Sequence, residues 1–298
     1  MEPLVRSSFE TARPLDLFAT LSGVGLGPSL RLHDHDVWRA TRTPEGLATI
    51  HLRQEAGRIE VEAWGPGGRW AEARAPAFCG EGDDSSGFRP QHRLVADLLR
   101  RNPGLRLPRT EAVFEALVPT VLAQKVTAVE AHASYRALVD GLGEDAPGPV
   151  RLKVPPSAQI LARTPYWTFH RFGVERRRAE VIIRAARSAG RLEETAAMDM
   201  ASAHRRLNAF PGVGPWTAAK VALVALGDPD AVPVGDYHLP HIVGYAFEGT
   251  ARSSDERMLQ LLEPFSGHRA RVIRLLMLAG ISAPRFGPHM PLRDIAGS

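Results

Sequence analysis

Residues 207–240 read LNAFPGVGPWTAAKVALVALGDPDAVPVGDYHLP, and the rest of the chain is organised around this stretch. It begins with a tight turn, FPGVGP at 210–215, that holds two glycines and two prolines. The apolar, alanine-rich segment 216–226 predicts a helix after the turn. A loop follows and ends in VGDY at 234–237. The stretch therefore predicts two helices joined by a glycine turn, with a polar loop behind them.

The glycine turn has the features of an anion-binding site. Gly212 and Gly214 allow positive φ angles and a close approach of the backbone to a ligand, and Pro215 suits the first turn of a helix. Amides exposed at the start of that helix attract anions, and the helix dipole adds to the attraction. Because the chain has a formal charge of +4 and a pI of about 9.6, the natural partner is a nucleic-acid phosphate.

A known family shares this arrangement. The pattern LNAFPGVG at 207–214, followed by Thr217 and Ala218 and then by Asp236, resembles the helix-hairpin-helix motif of DNA glycosylases. The resemblance implies that Asp236, which lies 22 residues past Gly214, is the catalytic carboxylate. It also implies that the amides of the hairpin bind a phosphate 3′ to the damaged base.

The resemblance extends beyond the hairpin, to the 3-methyladenine DNA glycosylases within that family. It covers roughly residues 90–285 and implies a mainly α-helical fold of two helical sub-domains with a cleft between them. The N-terminal part would be a small antiparallel-sheet domain like the TATA-binding protein. The matching segments are PGLRLP at 103–108, Phe114, LAQ at 122–124, FGV at 172–174 and RAE at 178–180.

Residues 1–88 have a pattern of their own and predict an N-terminal domain with an antiparallel sheet and one helix. The helix is expected at 14–22, capped near Asp16. The connector to the rest of the chain is the acidic, small-residue segment EGDDSSG at 81–87. Strands are expected where apolar residues alternate between glycine turns, at 37–41, 47–53 and 58–64.

Residues 89–298 predict a helical glycosylase domain that contains the hairpin at 207–226 and the catalytic loop at 227–240. Apolar residues after Thr110 fall at helical spacing, and Pro119 predicts a kink or a helix start. Further helices are expected at 91–101, 127–141, 158–164, 176–190, 198–208 and 269–279.

The chemistry of base removal suits a carboxylate such as Asp236. Loss of a base leaves positive charge on the deoxyribose, which a carboxylate held against the sugar stabilises. The same group can orient or deprotonate the attacking water. An N-alkylated purine is already cationic and leaves readily, so no strong general acid is required. The alternative role for Asp236 is an N-cap over residues 237–241, which is compatible with catalysis.

The residue after Pro215 bears on the type of reaction. Family members that also cut the DNA strand carry a Schiff-base lysine two positions after the second glycine. That position here holds Trp216, which predicts a monofunctional hydrolase without a lyase step. Lys220 lies one helical turn further on, where the 3-methyladenine enzyme has an aromatic residue. We expect Lys220 to face solvent or a phosphate; the alternative places it in the pocket, where it would oppose a cationic base.

The predicted base pocket is aromatic and consists of Trp216, Tyr237 and Phe265. Aromatic faces attract cations, and alkylated bases carry positive charge. The alternative is that these rings are ordinary core residues, and for Phe265 both interpretations stay open.

Gln124 and Lys125 correspond, in the resemblance, to the loop that fills the gap left by a flipped base. The family enzyme has an apolar wedge where this chain has Lys125. A lysine does not intercalate as an apolar side chain does, but it can occupy the gap and reach a phosphate or a base edge, while Gln124 contacts the widowed base. The alternative is two polar residues at a solvated helix end. The whole predicted DNA-binding set is Gln124, Lys125, Gly212, Val213, Gly214, Thr217 and Lys220.

The residue types predict no divalent metal site and no cofactor. The single cysteine, Cys79, excludes a disulfide framework and a four-cysteine zinc or iron–sulfur site. The histidine–aspartate run at 33–36 is interpreted as a solvated loop. The resemblance allows a monovalent cation at the carbonyls of Asn208, Phe210 and Val213.

The sequence shows no signal-peptide pattern and no apolar run long enough to cross a membrane. We therefore expect a cytoplasmic monomer whose partner is double-stranded DNA, with no membrane and no iron–sulfur cluster involved.

Three functions fit these observations. The first is a monofunctional DNA glycosylase of base excision repair that flips out alkylated purines of the 3-methyladenine type and hydrolyses their N-glycosidic bond. The second is a glycosylase for another lesion, such as hypoxanthine or an oxidised purine, which Lys125 and Lys220 leave open. The third is a non-catalytic DNA-binding or lesion-sensing module.

Overall fold

The N-terminal part of the molecule is built on a five-stranded antiparallel sheet. The computed structural model describes residues 2–24 and 27–284, and residues 285–298 of the predicted helical domain lie outside that range. The sheet has the order β1-β5-β4-β3-β2. Its strands are β1 Val5–Glu10, β2 Leu30–His33, β3 Asp36–Thr43, β4 Gly46–Glu55 and β5 Arg58–Trp64. The three predicted strands are confirmed as β3, β4 and β5, whereas β1 and β2 were not predicted.

Alternation along the strands gives the sheet one face that packs against helices. In β5, Ile59, Val61 and Ala63 point to the same face and are fully buried. The predicted short helix is confirmed as α1, Leu17–Leu21, because the Asp16 side chain accepts a hydrogen bond from the Ala19 amide over 2.8 Å. The other helices of this part are α2 Gly68–Ala73 and α3 Ala75–Phe78.

The rest of the described chain is helical and has two hydrophobic cores. One core lies around α5, α8, α10 and α11, and the other joins α4, α12, α13 and α14. The helices are α4 Arg93–Arg101, α5 Val113–Leu122, α6 Ala128–Leu142, α7 Ala158–Arg163, α8 Arg176–Arg187, α9 Ala189–Glu193, α10 Met200–Asn208, α11 Pro215–Val221, α12 Leu239–Glu248, α13 Asp255–Leu262 and α14 Arg269–Leu278. The predicted fold, two helical units with an N-terminal sheet, is confirmed.

Short elements complete the connections. Two-residue strands, β6 Glu144–Asp145 and β7 Lys153–Val154, close the proline- and glycine-rich loop over the outer face of the sheet. The 3₁₀ turns are at Tyr166–Phe172, Glu194–Ala197 and Glu263–Phe265. Among the described residues, no helix is long and apolar enough to span a membrane.

The acidic segment at 81–87 is fixed to the helical part instead of linking two independent bodies. Asp83 is buried and pairs with the buried Arg271 of α14 over 2.5 Å. Its second oxygen accepts the Leu107 amide over 2.9 Å, and Glu81 pairs with the buried Arg106. Breaking a buried pair by removing one partner typically costs about 3–5 kcal/mol, so this connector contributes to stability.

At Gly212, the glycine turn between α10 and α11 is packed too tightly for a residue with a side chain. Gly212 has φ 94°, and a Cβ built there would lie 2.4 Å from Cγ2 of Val181 on α8. After α11 the chain widens into a π-helical turn, Ala222–Leu226, so the predicted helix at 216–226 is correct apart from its last turn. The Val224 carbonyl, next to the start of α5, accepts the Thr110 amide over 3.1 Å.

Candidate active site

Asp236 is held by three hydrogen bonds at the point where the loop after the hairpin meets α12. Its Oδ1 accepts the backbone amides of His238 and Leu239 over 2.9 and 3.0 Å. Its Oδ2 accepts the indole Nε1–H of Trp216 over 2.9 Å. The carboxylate therefore caps the first turn of α12 and faces the hairpin helix at the same time, which confirms the capping role and leaves catalysis by Asp236 a prediction.

These bonds keep Asp236 ionised. Burial by itself raises the pKa of the carboxyl group. The hydrogen bonds from Trp216, His238 and Leu239, with the positive charge of Lys220, outweigh burial and hold the pKa below its ordinary value. A carboxylate that stays charged inside a cleft can stabilise a cation formed beside it.

A large cleft of about 2550 Å³ runs past Asp236, between the two helical units. It brings together residues that lie more than 100 positions apart in the chain. The predicted site residues that line it are Gln124, Lys125, Gly212, Val213, Gly214, Trp216, Thr217, Lys220, Asp236 and Tyr237.

The prediction that Phe265 lines the base pocket is wrong. Its ring is buried in the second helical core, in an edge contact with Phe88 at 6.4 Å between centroids and 5.7 Å from Phe247. The 3₁₀ turn between α13 and α14 points this side chain inward, away from the cleft. Trp216 is half-buried in the cleft, and Tyr237 lies at its mouth with 80% of its surface exposed.

Gln124 is engaged with the hairpin. Its side-chain nitrogen donates to the Gly212 carbonyl over 3.0 Å and lies 2.9 Å from the Thr217 hydroxyl, which is buried. Because Thr217 is buried and bound to Gln124, the expectation that Thr217 contacts DNA directly is wrong, whereas the contact of Gln124 with the widowed base stays a prediction. The pair fixes the loop after α5 to the hairpin, and it leaves Lys125 exposed with a φ of 56°. This left-handed conformation is uncommon for a residue with a side chain.

The outer surface of the hairpin is open at one glycine. A Cβ built on Gly214 would meet nothing within 4 Å. Val213 is buried, and its amide donates to the Phe210 carbonyl over 2.9 Å, so this amide is occupied by the turn itself. The monovalent cation at the carbonyls of Asn208, Phe210 and Val213 stays a prediction.

Lys220 lines the cleft and is partly buried there, as in the alternative that placed it in the pocket, and its contact with a phosphate stays a prediction. Because it follows Trp216 by one turn of α11, the two side chains share a face, and that face is turned towards Asp236. Burial lowers the pKa of Lys220, the nearby Arg274 lowers it further, and Asp236 acts in the opposite direction.

Arg274 of α14 is a cleft residue that the sequence analysis missed. Only 9% of its surface is exposed. Its Nη2 donates to the Ala19 carbonyl over 2.9 Å and to the Ser22 hydroxyl over 3.2 Å. The sequence did hold a sign of this buried arginine, since the arginines at 271 and 274 interrupt a helix whose other residues are mostly apolar.

No metal centre is evident in the part of the chain that the structure describes, where no three His, Cys, Asp or Glu side chains cluster as ligands would. In the run at 33–36, Asp36 instead lies 2.7 Å from the ring of His51. Cys79 is buried in the core under the sheet, and burial raises the pKa of its thiol to about 12. This thiol therefore stays protonated and unreactive.

Comparisons with known proteins agree with this geometry. No family model matches the chain. A curated relative from Mycobacterium tuberculosis, the probable bifunctional transcriptional activator/DNA repair enzyme AlkA, is 35% identical over 161 residues, which are 52% of this chain and 31% of the relative. The DNA-3-methyladenine glycosylase 2 of Escherichia coli is 29% identical over 168 residues, 56% of this chain and 58% of the relative. The resemblance to the helix-hairpin-helix DNA glycosylases is confirmed.

Solved structures extend the match to the whole fold. The 3-methyladenine DNA-glycosylase of Archaeoglobus fulgidus superimposes with a TM-score of 0.76 at 19% identity, over 91% of this chain and 97% of that one. An 8-oxoguanine glycosylase/lyase of Clostridium acetobutylicum gives 0.71 at 12% identity, over 94% and 98%. Neighbours with different substrates thus share the helix-hairpin-helix glycosylase fold. The chain spans about a third of the M. tuberculosis relative and just over half of the E. coli one.

Proposed function

We propose that the chain is a DNA glycosylase of base excision repair that hydrolyses the N-glycosidic bond of alkylated purines. The observation that carries the proposal is Asp236, an ionised carboxylate fixed by three hydrogen bonds in a cleft beside the glycine hairpin. The curated relatives support the substrate class, because two of them are named as DNA-3-methyladenine glycosylases.

In this proposal the hairpin and the loop at 124–125 hold the DNA while the base turns into the cleft. The amides of the turn bind a backbone phosphate, for which the open side of Gly214 leaves room. Lys125, exposed on a loop fixed by Gln124, fills the gap in the stack. The base must leave the duplex before any side chain can reach its glycosidic bond.

Asp236 then acts on the sugar. As the bond between C1′ and the base breaks, positive charge develops on the deoxyribose, and the carboxylate stabilises it. The same group orients the attacking water or takes its proton. Trp216 provides an aromatic face for the flipped base, and because it occupies the position of the lysine in the strand-cutting enzymes, the reaction ends at an abasic site without a lyase step.

The partner in this proposal is double-stranded DNA, bound by a monomer in the cytoplasm. A structural neighbour solved with DNA has the same fold, which supports the choice of partner.

The test is base release by the wild-type protein and by Asp236→Asn, on duplexes that each carry one defined lesion. We expect the substitution to reduce the single-turnover rate by at least about 100-fold, as the loss of one stabilising group does elsewhere, and to leave DNA affinity within a few-fold. Asp84→Asn is the matched control, because this exposed aspartate of the connector accepts the Ser86 amide and does not line the cleft. A wild-type protein that binds DNA but releases no base from any lesion would support the non-catalytic module instead.

A further inference from the structure

A second, smaller groove lies on the surface between α7 and α8. Its volume is about 360 Å³, and none of the residues that line it also lines the cleft around Asp236. Arg163 lines it from the last turn of α7, and Arg184 and Arg187 line it from the last turn of α8. All three arginines are exposed. The groove therefore concentrates positive charge outside the site of the proposed reaction.

The charges of these arginines are free to act on a ligand. In the part of the chain that the structure describes, no carboxylate forms an ion pair with Arg163, Arg184 or Arg187. Glu180, which also lines the groove, is bound by Arg176 over 2.6 Å. Arginines at the ends of helices gain from the helix dipole, but that gain does not require two helices to bring three of them to one groove. An anionic ligand would complement this charge.

Helix α8 connects the groove to the glycine hairpin. Nη1 of Arg184 donates a hydrogen bond to the Pro211 carbonyl over 3.1 Å, and the guanidinium has four further N–H donors. Three residues earlier on the helix, Val181 packs against Gly212. At 1.5 Å per residue, Arg187 lies about 9 Å beyond Val181 along the helix axis. This length corresponds to about two to three base pairs of B-DNA, which rises 3.4 Å for each of them.

We propose that this groove binds the DNA backbone beyond the hairpin, with the phosphates seated on Arg163 and Arg187. The choice of partner rests on the proposed glycosylase function, and the groove adds a second anchor about two to three base pairs from the phosphate on the glycine turn. The planar guanidinium suits phosphate oxygens, because it can donate two parallel hydrogen bonds. Phosphate contacts position a protein on the duplex without reading its sequence, so the anchor contributes affinity and register.

The position of the groove favours DNA over an acidic peptide, which the arginines would also attract. A strand already bound at the hairpin is tethered beside the groove, and a tethered ligand reaches a neighbouring site at high effective concentration. An acidic peptide would need a separate binding event. The anchor also has a use in the reaction, since turning a base out of the stack costs a few kcal/mol, and added phosphate contacts offset part of that cost.

The experiment measures DNA binding by the full chain with fluorescence anisotropy at several salt concentrations. The long probe is a duplex with an abasic-site analogue and about ten base pairs, one helical turn, on each side. The short probe ends just beyond the first phosphates on the 3′ side of the analogue, which is the side assigned to the hairpin. Arg163→Gln combined with Arg187→Gln removes two charges from the groove. Arg69→Gln combined with Arg101→Gln is the matched control, because these exposed arginines of α2 and α4 line neither the groove nor the cleft.

We expect the groove variant to bind the long probe about tenfold more weakly than the wild type. The slope of log K against log salt should become shallower by about two, since each phosphate contact contributes about 0.9. On the short probe the groove variant should bind like the wild type, and the control variant should bind both probes like the wild type.

Equal losses in the groove and control variants, a loss that persists on the short probe, or unchanged affinity for the long probe would overturn the proposed anchor. A wild-type protein that shows these differences but releases no base from any lesion would keep the anchor and refute the glycosylase function alone. A wild-type protein that does not bind DNA would overturn both.

Discussion

The indole nitrogen of Trp216 donates a hydrogen bond to Oδ2 of Asp236 over 2.9 Å. This contact joins α11, the helix after the glycine turn, to the loop that carries the carboxylate. Trp216 thus helps to keep the carboxylate charged, and in the proposed function it also offers a face to the base and fills the position of a Schiff-base lysine.

Trp216→Phe is expected to move the acid limb of the pH–rate profile for nucleobase release towards higher pH. A hydrogen bond to a charged group is worth about 1.5–3 kcal/mol and one pKa unit about 1.4 kcal/mol, so the shift should be about one to two units. The folded pKa of Asp236 is lowered. Its contribution to stability is therefore complete above the unfolded value and is lost as the pH falls through the folded value.

The measurement is the pH dependence of the single-turnover rate. Trp167→Phe is the control, because this tryptophan is 62% exposed in the turn after α7 and is not a cleft residue. An acid limb that does not move in Trp216→Phe would mean that the indole does not set the ionisation of Asp236.

Alanine substitutions at the two glycines of the hairpin are expected to have different effects, one on stability and the other on DNA binding. Gly212→Ala combines a positive φ with a Cβ 2.4 Å from Val181, and should lower stability by about 1–3 kcal/mol. Gly214→Ala has an ordinary φ of −95° and free space, so it should unfold like the wild type. If a DNA phosphate lies on the turn, the Cβ added by Gly214→Ala should weaken DNA binding by about tenfold.

Thermal unfolding and fluorescence anisotropy with a duplex containing an abasic-site analogue distinguish the two effects. Wild-type affinity in Gly214→Ala would show that phosphate does not contact this turn closely.

Borohydride reduction tests the absence of a lyase step. A Schiff base between an amine and an abasic site would be reduced to a stable covalent complex, visible by gel electrophoresis. We expect none for the wild-type protein, because Trp216 occupies the lysine position. A trapped complex that disappears in Lys220→Met would contradict this and identify Lys220 as the nucleophile, since it is the lysine that lies beside Asp236 in the cleft.

Local signals in the sequence predicted most of the fold. Asp16 marked the start of α1, and Thr127 marked the start of α6, where it forms a capping box with Glu130. Such caps depend on residues three positions apart, so they can be recognised in a sequence. The strand β1 was missed because its partner β5 lies about fifty residues away, and nothing near residues 5–10 specifies that pairing.

The sequence motif of the site was predictable, but the directions in which its side chains point were not. The resemblance, through the spacing from Gly214 to Asp236, predicted the candidate carboxylate, and the structure places Asp236 in the cleft beside the hairpin. Whether Phe265 and Lys220 turn into the cleft or away from it depends on how α11, α13 and α14 pack, which spacing within one segment does not specify. The hydrogen bonds of Gln124 were not predicted for the same reason, since its partners Gly212 and Thr217 lie 88 and 93 residues away.

The ion pair of Asp83 and Arg271 determines how this protein can be divided. The two side chains are 188 positions apart, and one belongs to the sheet's connector while the other lies inside the helical part. A fragment starting at residue 89 would keep the hairpin and the carboxylate but leave a lone guanidinium in its interior. The segment before residue 89 thus helps to stabilise the helical half, and truncation studies would need an apolar substitute at position 271.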